Sequence, residues 1–157
     1  VRWRNIKIKT DTETAEWISL FDGTTTEGWK AYNGDALPPQ WIIKDGALTF
    51  STDSKLETEH QGGKDIIYAA EEFGNFELYL EWKLPEGGNS GIFYHLKEEG
   101  FDSPTGVSPE YQLIDDVNYA RIHDLTEYNT SLGYENPEVL QPLQQTASDY
   151  AMYPRHQ

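Results

Sequence analysis

Three features of the sequence predict an all-β fold. Short runs of aromatic and β-branched residues alternate between apolar and polar side chains with a period of two, which is typical of half-buried strands. Turn-forming residues, 13 Gly and 8 Pro among 157, separate these runs. No long stretch has the i, i+3, i+4, i+7 apolar spacing of an amphipathic helix. Together these features favour an antiparallel sandwich over alternating strand–helix units.

The strands can be placed in chain order. The first run, 17–21, is followed by a hairpin in which 41–44 and 47–50 flank Asp45-Gly46, a pair that suits a two-residue turn with positive φ. Beyond residue 118 the pattern is weak and polar, and it predicts at most one or two helical turns. Further strands are predicted at 65–68, 76–83, 92–96 and 110–115.

Apolar residues in these runs define the expected core. In the clearest strand, Phe76, Leu78, Leu80 and Trp82 alternate with charged residues and Tyr79, so they are predicted to share one face. Four tryptophans are predicted to be buried: Trp17, Trp29, Trp41 and Trp82.

The first ten residues differ in composition from the rest. They hold four of the twelve basic residues (Arg2, Arg4, Lys7 and Lys9) and no acidic residue, and their alternation is that of an edge strand. Residues 11–16 have the polar composition of a linker. We therefore expect 1–10 to be a strand foreign to the rest of the chain, and 17–157 to form the main domain.

The composition also bounds the function. With 12 basic and 27 acidic residues the net charge is −15, which argues against a nucleic-acid partner and against docking on anionic lipid. No apolar run is long enough to span a membrane, and the amino terminus lacks the pattern of a signal peptide. The absence of Cys excludes disulfides and thiol catalysis. The high aromatic content, 13%, suits a folded protein that binds polyhydroxylated ligands.

Several standard signatures are missing. The four His residues have no close spacing, no GxSxG nucleophile elbow occurs, and no calcium loop is present. The sequence therefore predicts no metal site and leaves any cofactor unknown. Asn129-Thr130-Ser131 fits a glycosylation sequon, a pattern that is common by chance.

Carboxylates, amides and phenols on or beside three strands remain as candidates for chemistry. Two carboxylates with Tyr and His can abstract and donate protons when the site raises one pKa. Each also has a structural interpretation: Glu81 as a solvated face residue, Asp115 as a turn former, His95 as a hydrogen-bonded strand residue, and the glycines at 87 and 88 with Asn89 as a hairpin loop. The candidates are Glu81, Asn89, Ser90, Tyr94, His95, Glu110, Tyr111, Gln112, Asp115 and Asp116.

Four motifs in order, over residues 15–117, resemble the family once called domain of unknown function 1080 and now 3-keto-disaccharide hydrolase. They are the Trp-Ile-Ser-Leu-Phe-Asp-Gly run at 17–23 with Gly28-Trp29, the 41–48 hairpin, the 76–83 strand, and the pair formed by Gly-Asn-Ser-Gly-Ile-Phe-Tyr at 88–94 and Glu-Tyr-Gln-Leu-Ile-Asp at 110–115. Residues 131–153 match only loosely.

The resemblance implies a concanavalin A-like jelly-roll sandwich of two curved antiparallel sheets, incomplete in this chain. It implies a bacterial, periplasmic or secreted enzyme that cleaves glycosides oxidised at C3 by C2 deprotonation, aglycone elimination and water addition. Glu110 or Asp115 would be the base, with Tyr94 or His95 as the acid. Contacts to the sugar would come from Glu81, Asn89, Ser90, Tyr111 and Gln112.

This chain departs from the family pattern in two places. His95 stands where the family usually has Arg, and a later family segment has no counterpart, whereas residues 1–9 resemble the family's last strand. The chain thus resembles the end of one domain followed by about two-thirds of another, and a complementing chain or a second family domain is an expected partner. The alternative is a non-catalytic, lectin-like sandwich; a retaining β-glucanase is disfavoured because its acidic strand motif is absent.

Overall fold

The computed structural model describes residues 1–11, 14–53, 65–98 and 100–155. Every strand pair in these ranges is antiparallel, which confirms the predicted all-β class. Two compact units are present, Arg2–Lys83 and Leu84–Gln157 (the latter also takes in Val1).

The Arg2–Lys83 unit contains seven strands. Five of them, β1, β2, β4, β5 and β7, form one sheet, whereas β3 and β6 pair with each other. Their bounds are β1 Arg2–Thr10, β2 Ile18–Ser19, β3 Trp29–Ala31, β4 Trp41–Lys44, β5 Ala47–Phe50, β6 Ile66–Tyr68 and β7 Phe76–Lys83. The predicted hairpin is confirmed: β4 pairs with β5, and Asp45 and Gly46 both have positive φ, at 53° and 70°.

The first strand lies inside the five-stranded sheet, so the prediction of an edge strand is wrong. β7 pairs along one side of β1, while β5 and β2 pair with its beginning and end on the other side. The β1–β2 connection occupies the predicted linker, of which residues 12 and 13 lie outside the described residues. The prediction failed because alternation in one strand does not reveal how many neighbours that strand has.

A bulge divides β1 and sets which side chains face inwards. The register against β7 shifts between Arg4 and Lys7, and Asn5 has a φ of 51°. The extra residue changes the parity of the strand, so Trp3, Ile6 and Ile8 are all buried on one face. Arg4 and Asn5 are both exposed.

Two of the predicted core tryptophans are more exposed than expected. Trp17 retains 46% and Trp82 41% of its accessible surface, whereas Trp29 and Trp41 are half-buried. The prediction was wrong for the first two because apolar character gives no information about what covers a sheet face. Trp29 is held by its indole nitrogen, which donates to the Leu20 carbonyl at 2.7 Å.

The second unit combines one strand pair with short helical turns, which are more numerous than the one or two that the weak polar pattern predicts. Its strands are β8 Asn89–Phe93 and β9 Glu110–Ile114, and its helices are α1 Tyr119–His123 and α2 Thr126–Ser131, with single 3-10 turns at Pro104–Gly106 and Pro142–Gln144. β8 begins three residues earlier than predicted, because a tight turn already closes between Pro85 and Gly88.

Candidate active site

The motif at 88–94 and the strand at 110–114 lie side by side. In the β8–β9 pair Gly91 lies opposite Gln112 and Phe93 opposite Glu110. Directly opposed residues of an antiparallel pair point to the same face, so Asn89 shares this face with Glu110 and Gln112. The predicted common face of Glu110 and Gln112 follows from this register.

The Glu110 side chain lies directly over Gly91. A methyl group at Gly91 would collide with the Glu110 carboxylate, at 2.6 Å from Cδ and 2.7 Å from Cγ. Glycine at this position therefore provides the space in which the carboxylate lies, and its role is spatial, because its φ is not in the left-handed region.

Residues 147–150 lie alongside β9, on the side away from β8. Tyr150 donates its backbone N–H to the Glu110 carbonyl at 2.8 Å, and Asp149 forms an antiparallel bridge with Tyr111. Because bridged residues share a face, Asp149 lies with Tyr111, whereas its neighbour Tyr150 lies on the face of Glu110.

Tyr150 interacts with Glu110 and with two further phenols, Tyr128 and Tyr119. Burial is the main cause that raises the pKa of Tyr150 to about 12, and a hydrogen bond with Tyr128, the charge of Glu110 and interactions with Tyr128 and Tyr119 add to it. The rings of Tyr119 and His123 contact each other at a centroid distance of 4.4 Å. His123 Nε2 lies 2.9 Å from the Gly87 carbonyl oxygen.

The sequence analysis did not predict four of these site residues: Tyr119, His123, Tyr128 and Tyr150. One local signal was available, since Tyr119 and His123 are spaced i, i+4 as on a helical turn. Tyr128 and Tyr150 had no such signal, because they come together, and Tyr150 comes next to Glu110, only through the fold.

Tyr94 lies on the opposite face from Glu110. Its hydroxyl is 3.4 Å from Asp149 Oδ2, and Asp149 belongs to the Tyr111 face. Burial and the Asp149 carboxylate raise the pKa of Tyr94. His95 is exposed, with a φ of 55°, and its ring contacts Tyr94 at 5.5 Å. The structure therefore separates the two predicted acids from Glu110.

Asp115 is held by backbone and amide donors. Its Oδ2 accepts from the backbone N–H of Gly87 and from Asn118 Nδ2, each at 2.9 Å, and its Oδ1 accepts from the N–H groups of Val117 and Asn118. These hydrogen bonds, that of Gly87 most of all, lower the pKa of Asp115 to about 2. A carboxylate with so low a pKa is a poor base, and the contacts are those of the turn-forming alternative.

The predicted sugar-contacting residues of this unit differ in exposure. Gln112 is only 3% exposed and its side-chain oxygen accepts from the Leu113 N–H at 3.1 Å, so it supports the strand beneath Glu110. Asn89 and Tyr111 are exposed, and Ser90 is half-buried on the Tyr111 face. Asp116 binds the Thr146 N–H at 2.8 Å and Arg155 at 2.9 Å, and it thereby anchors the segment alongside β9.

Glu81, in the other unit, is bound by three donors. Asn5 Nδ2 donates to its Oε1 at 2.8 Å, Arg4 Nε donates to its Oε2, and the Tyr79 hydroxyl lies 3.4 Å from Oε1. The Asn5 hydrogen bond is the main cause that lowers the pKa of Glu81, followed by the hydrogen bond from Arg4. The bulge in β1 supplies both partners.

The sequon at Asn129 is structural. Asn129 is 0% exposed, its Nδ2 donates to the carbonyls of Pro137 and Val139, and its Oδ1 accepts from Gln144. An amide that is buried with its hydrogens engaged is inaccessible to a glycosyl transferase.

Two features are absent from the described residues. They contain no group of three or more His, Asp or Glu side chains close enough to hold a metal ion. Neither α1 nor α2 has the length and apolar character needed to cross a bilayer, and no other helix in the described ranges does either.

The β8–β9 pair thus carries a carboxylate, with a phenol beside it, on one face of an all-β protein. Residues 16–155 match a family described as the 3-keto-alpha-glucoside-1,2-lyase-like domain. The chain belongs to this family.

Two relatives agree with this assignment. A 3-keto-disaccharide hydrolase of Bacteroides thetaiotaomicron is 38% identical over 147 residues, which cover 88% of this chain and 46% of that protein. The crystal structure of a protein provisionally named a glycosyl hydrolase, from Parabacteroides distasonis, aligns with a TM-score of 0.60 and 29% identity over 87% of this chain and 55% of that one. This chain thus spans about half the length of either relative, and the structural likeness confirms the predicted class of fold, an incomplete jelly-roll sandwich.

Proposed function

We propose that the protein cleaves glycosides oxidised at C3 of the sugar, with Glu110 as the base. The C3 ketone acidifies the proton at C2. Glu110 removes that proton, an enolate forms, and the substituent at C1 leaves; water then adds to complete a net hydrolysis. The observation that carries this proposal is the position of the Glu110 carboxylate, over Gly91 and beside the phenol of Tyr150.

Neutral phenols suit this chemistry because they donate hydrogen bonds without neutralising the base. Tyr150, with a pKa raised to about 12, stays protonated at neutral pH. An enolate oxygen is stabilised by such donors, since charge develops on it only during the reaction. The family membership and the names of the two relatives support a carbohydrate-active hydrolase.

Four predictions made from the sequence extend this proposal. Sugar contacts from Asn89, Ser90 and Tyr111 are part of it, as is a periplasmic or secreted location. Residues 1–10 would act as the closing strand of the sheet, and the pairing of β1 with β5 and β7 of its own chain supports that role. A second family domain or complementing chain is the proposed macromolecular partner.

The test uses a matched pair of substrates. The purified protein is incubated with a 3-keto-glucoside and with the same glucoside unoxidised, and release of the aglycone is followed. Turnover of the keto form alone is the expected result, because only the ketone makes the C2 proton acidic. Equal binding of both sugars without release would instead show a lectin-like protein, and release from both would contradict the proposed C2 chemistry.

The solvent supplies a second measurement. In D2O, the released 3-keto sugar is expected to carry deuterium at C2, because the proton that Glu110 holds exchanges with solvent before water addition returns it to that carbon. A product without deuterium at C2, together with the absence of a primary isotope effect on a substrate deuterated at C2, would contradict a path through C2 deprotonation.

A further inference from the structure

Tyr150 is the phenol placed best to act together with Glu110. Its backbone N–H donates to the Glu110 carbonyl at 2.8 Å, so the two residues are neighbours, Glu110 on β9 and Tyr150 at the turn that follows the isolated bridge of Asp149. The Asp149–Tyr111 bridge fixes the register, which puts the side chains of Tyr150 and Glu110 on the same face. The two side chains are therefore neighbours without any change in the backbone.

Three features hold the Tyr150 side chain in this position. Its hydroxyl interacts with Tyr128 of α2, and its ring is half-buried. The segment that carries it is pinned to β9 on its amino-terminal side, where the N–H of Gln112 donates to the Ser148 carbonyl at 3.0 Å and the N–H of Ala147 to the Gln112 carbonyl at 2.9 Å. Ser148 itself is 0% exposed. Tyr150 is thus held both through its backbone and through its hydroxyl group.

We propose that Tyr150 is the general acid that protonates the departing aglycone, and that Tyr128 positions its hydroxyl. This role rests on the proposed function and assigns the acid to a residue other than Tyr94 and His95. The Glu110 face carries Tyr150, whereas Tyr94 points to Asp149 on the opposite face.

The proton balance closes with two side chains and water. Glu110 takes the proton from C2, and the electrons of that C–H bond form the enolate of the C3 ketone. The enolate expels the C1 substituent: the C1–O bond breaks, its electron pair stays on oxygen, and Tyr150 gives that oxygen its proton. Water then adds at C1 of the enone and loses a proton to the Tyr150 phenolate, while Glu110 returns its proton to C2. Both side chains end in their starting states.

The raised pKa of Tyr150 is compatible with this role. A phenol with a pKa of about 12 remains protonated beside a carboxylate, yet it is still a much stronger acid than an alcohol. It can therefore give its proton to a sugar alkoxide as the alkoxide departs.

The test varies the leaving group. Tyr150→Phe is expected to lose about 10²-fold or more in kcat on methyl 3-keto-glucoside, since an alkoxide needs a proton in order to leave. On 4-nitrophenyl 3-keto-glucoside the loss is expected to stay below about tenfold, since 4-nitrophenolate leaves as a stable anion. Tyr153→Phe is the matched control, because Tyr153 is 66% exposed, and it should leave both rates unchanged.

The outcomes separate this role from a structural one. Equal losses on both substrates, or no loss on either, would overturn the assignment of Tyr150 as the acid. Absence of turnover by the wild-type protein on both keto substrates would overturn the proposed function, and the catalytic role with it. Retention of the far-ultraviolet circular dichroism spectrum in Tyr150→Phe ensures that a lost rate does not come from unfolding.

A second measurement tests the geometry without catalysis. The tyrosinate absorbance titration of the wild type, minus that of Tyr150→Phe, reports Tyr150, whose pKa is raised to about 12, together with the Tyr128 phenol that interacts with it. In the Glu110→Gln background this titration should move to lower pH, because the neighbouring negative charge is gone. An unchanged titration would show that the phenol does not face Glu110, and would overturn the proposal.

Discussion

Glu81 and Glu110 lie on strands of different units and are held in opposite ways. Glu81 faces a cation and an amide: Arg4 and Asn5 bind its two oxygens and lower its pKa. Glu110 lies over a glycine and beside Tyr150. A cationic partner fixes a carboxylate in its ionised form, whereas a neighbouring phenol supplies a neutral proton donor. The neighbouring side chains therefore distinguish the proposed roles of Glu81 and Glu110 better than the sequence patterns of their strands do.

The largest effect is expected when each glutamate is changed to glutamine. Glu110→Gln should lower kcat on a 3-keto-glucoside by about 10²–10⁴-fold, the range for removal of a general base. Glu81→Gln should instead lower the thermal midpoint, because Arg4 and Asn5 bind Glu81 within its own unit. Steady-state kinetics with a thermal melt of each variant checks both.

Two outcomes would break this comparison. Full activity of Glu110→Gln would remove Glu110 from the catalytic machinery. A loss of kcat in Glu81→Gln as large as that of Glu110→Gln would show that the Arg4 and Asn5 contacts do not exclude a catalytic role.

The next effect concerns the space beneath Glu110. In Gly91→Ala the new methyl group would force the Glu110 side chain to move, and a shift of about 1 Å can cost roughly 10²-fold in rate. Folding should be affected much less, because the atoms in the way belong to a flexible side chain and the φ of Gly91 suits alanine.

Gly106→Ala is the matched control, because no atom lies within 4 Å of the added methyl group and its φ is not in the left-handed region. Kinetics and a thermal melt of both variants check the prediction. Equal activity of the two variants would show that the position of Glu110 over Gly91 is unimportant for turnover.

The smallest effect is expected from the aspartates that form turns, one in each unit. Hydrogen bonds lower the pKa of Asp115 and of Asp22 to about 2, from an ordinary 3.8. A lowered pKa contributes stability that is present above the unfolded value and is lost as the pH falls through the folded value. Stability should therefore decline as the pH falls from about 4 towards 2.

Asp115→Asn should reduce this decline, because it removes one titrating group. The measurement is the thermal midpoint of wild type and variant at about pH 5 and about pH 2.5, with Asp22→Asn as the counterpart in the other unit. An unchanged difference between the two pH values would mean that neither turn contributes to the acid sensitivity.

Local features of the fold were predictable because their causes are local. The Asp45-Gly46 turn follows from the ease with which these residues adopt positive φ, and β7 follows from its alternation. The pairing of the segment that contains Gly91 with the strand that contains Glu110 follows from the family motifs.

Features that depend on neighbours were not predictable in the same way. The bulge at Asn5 changes the parity of β1, and no pattern in the strand itself announces it. Tyr94 and Glu110 were paired as acid and base because both types suit proton transfer, but the strand register places them on opposite faces. Tyr150 was missed because forty residues separate it from Glu110 in the chain.

The sequence by itself determined the all-β class, the acidic charge and the set of carboxylates and phenols available for chemistry, since these depend on residue type and short-range spacing. The tertiary structure decided which partner each carboxylate receives. Arg4 and Asn5 reach Glu81 through the β1–β7 register. Tyr150 reaches the face of Glu110 through the bridge between its neighbour Asp149 and Tyr111. The physical reason is that side-chain chemistry depends on neighbours within a few ångströms, and long-range strand pairing alone sets those neighbours.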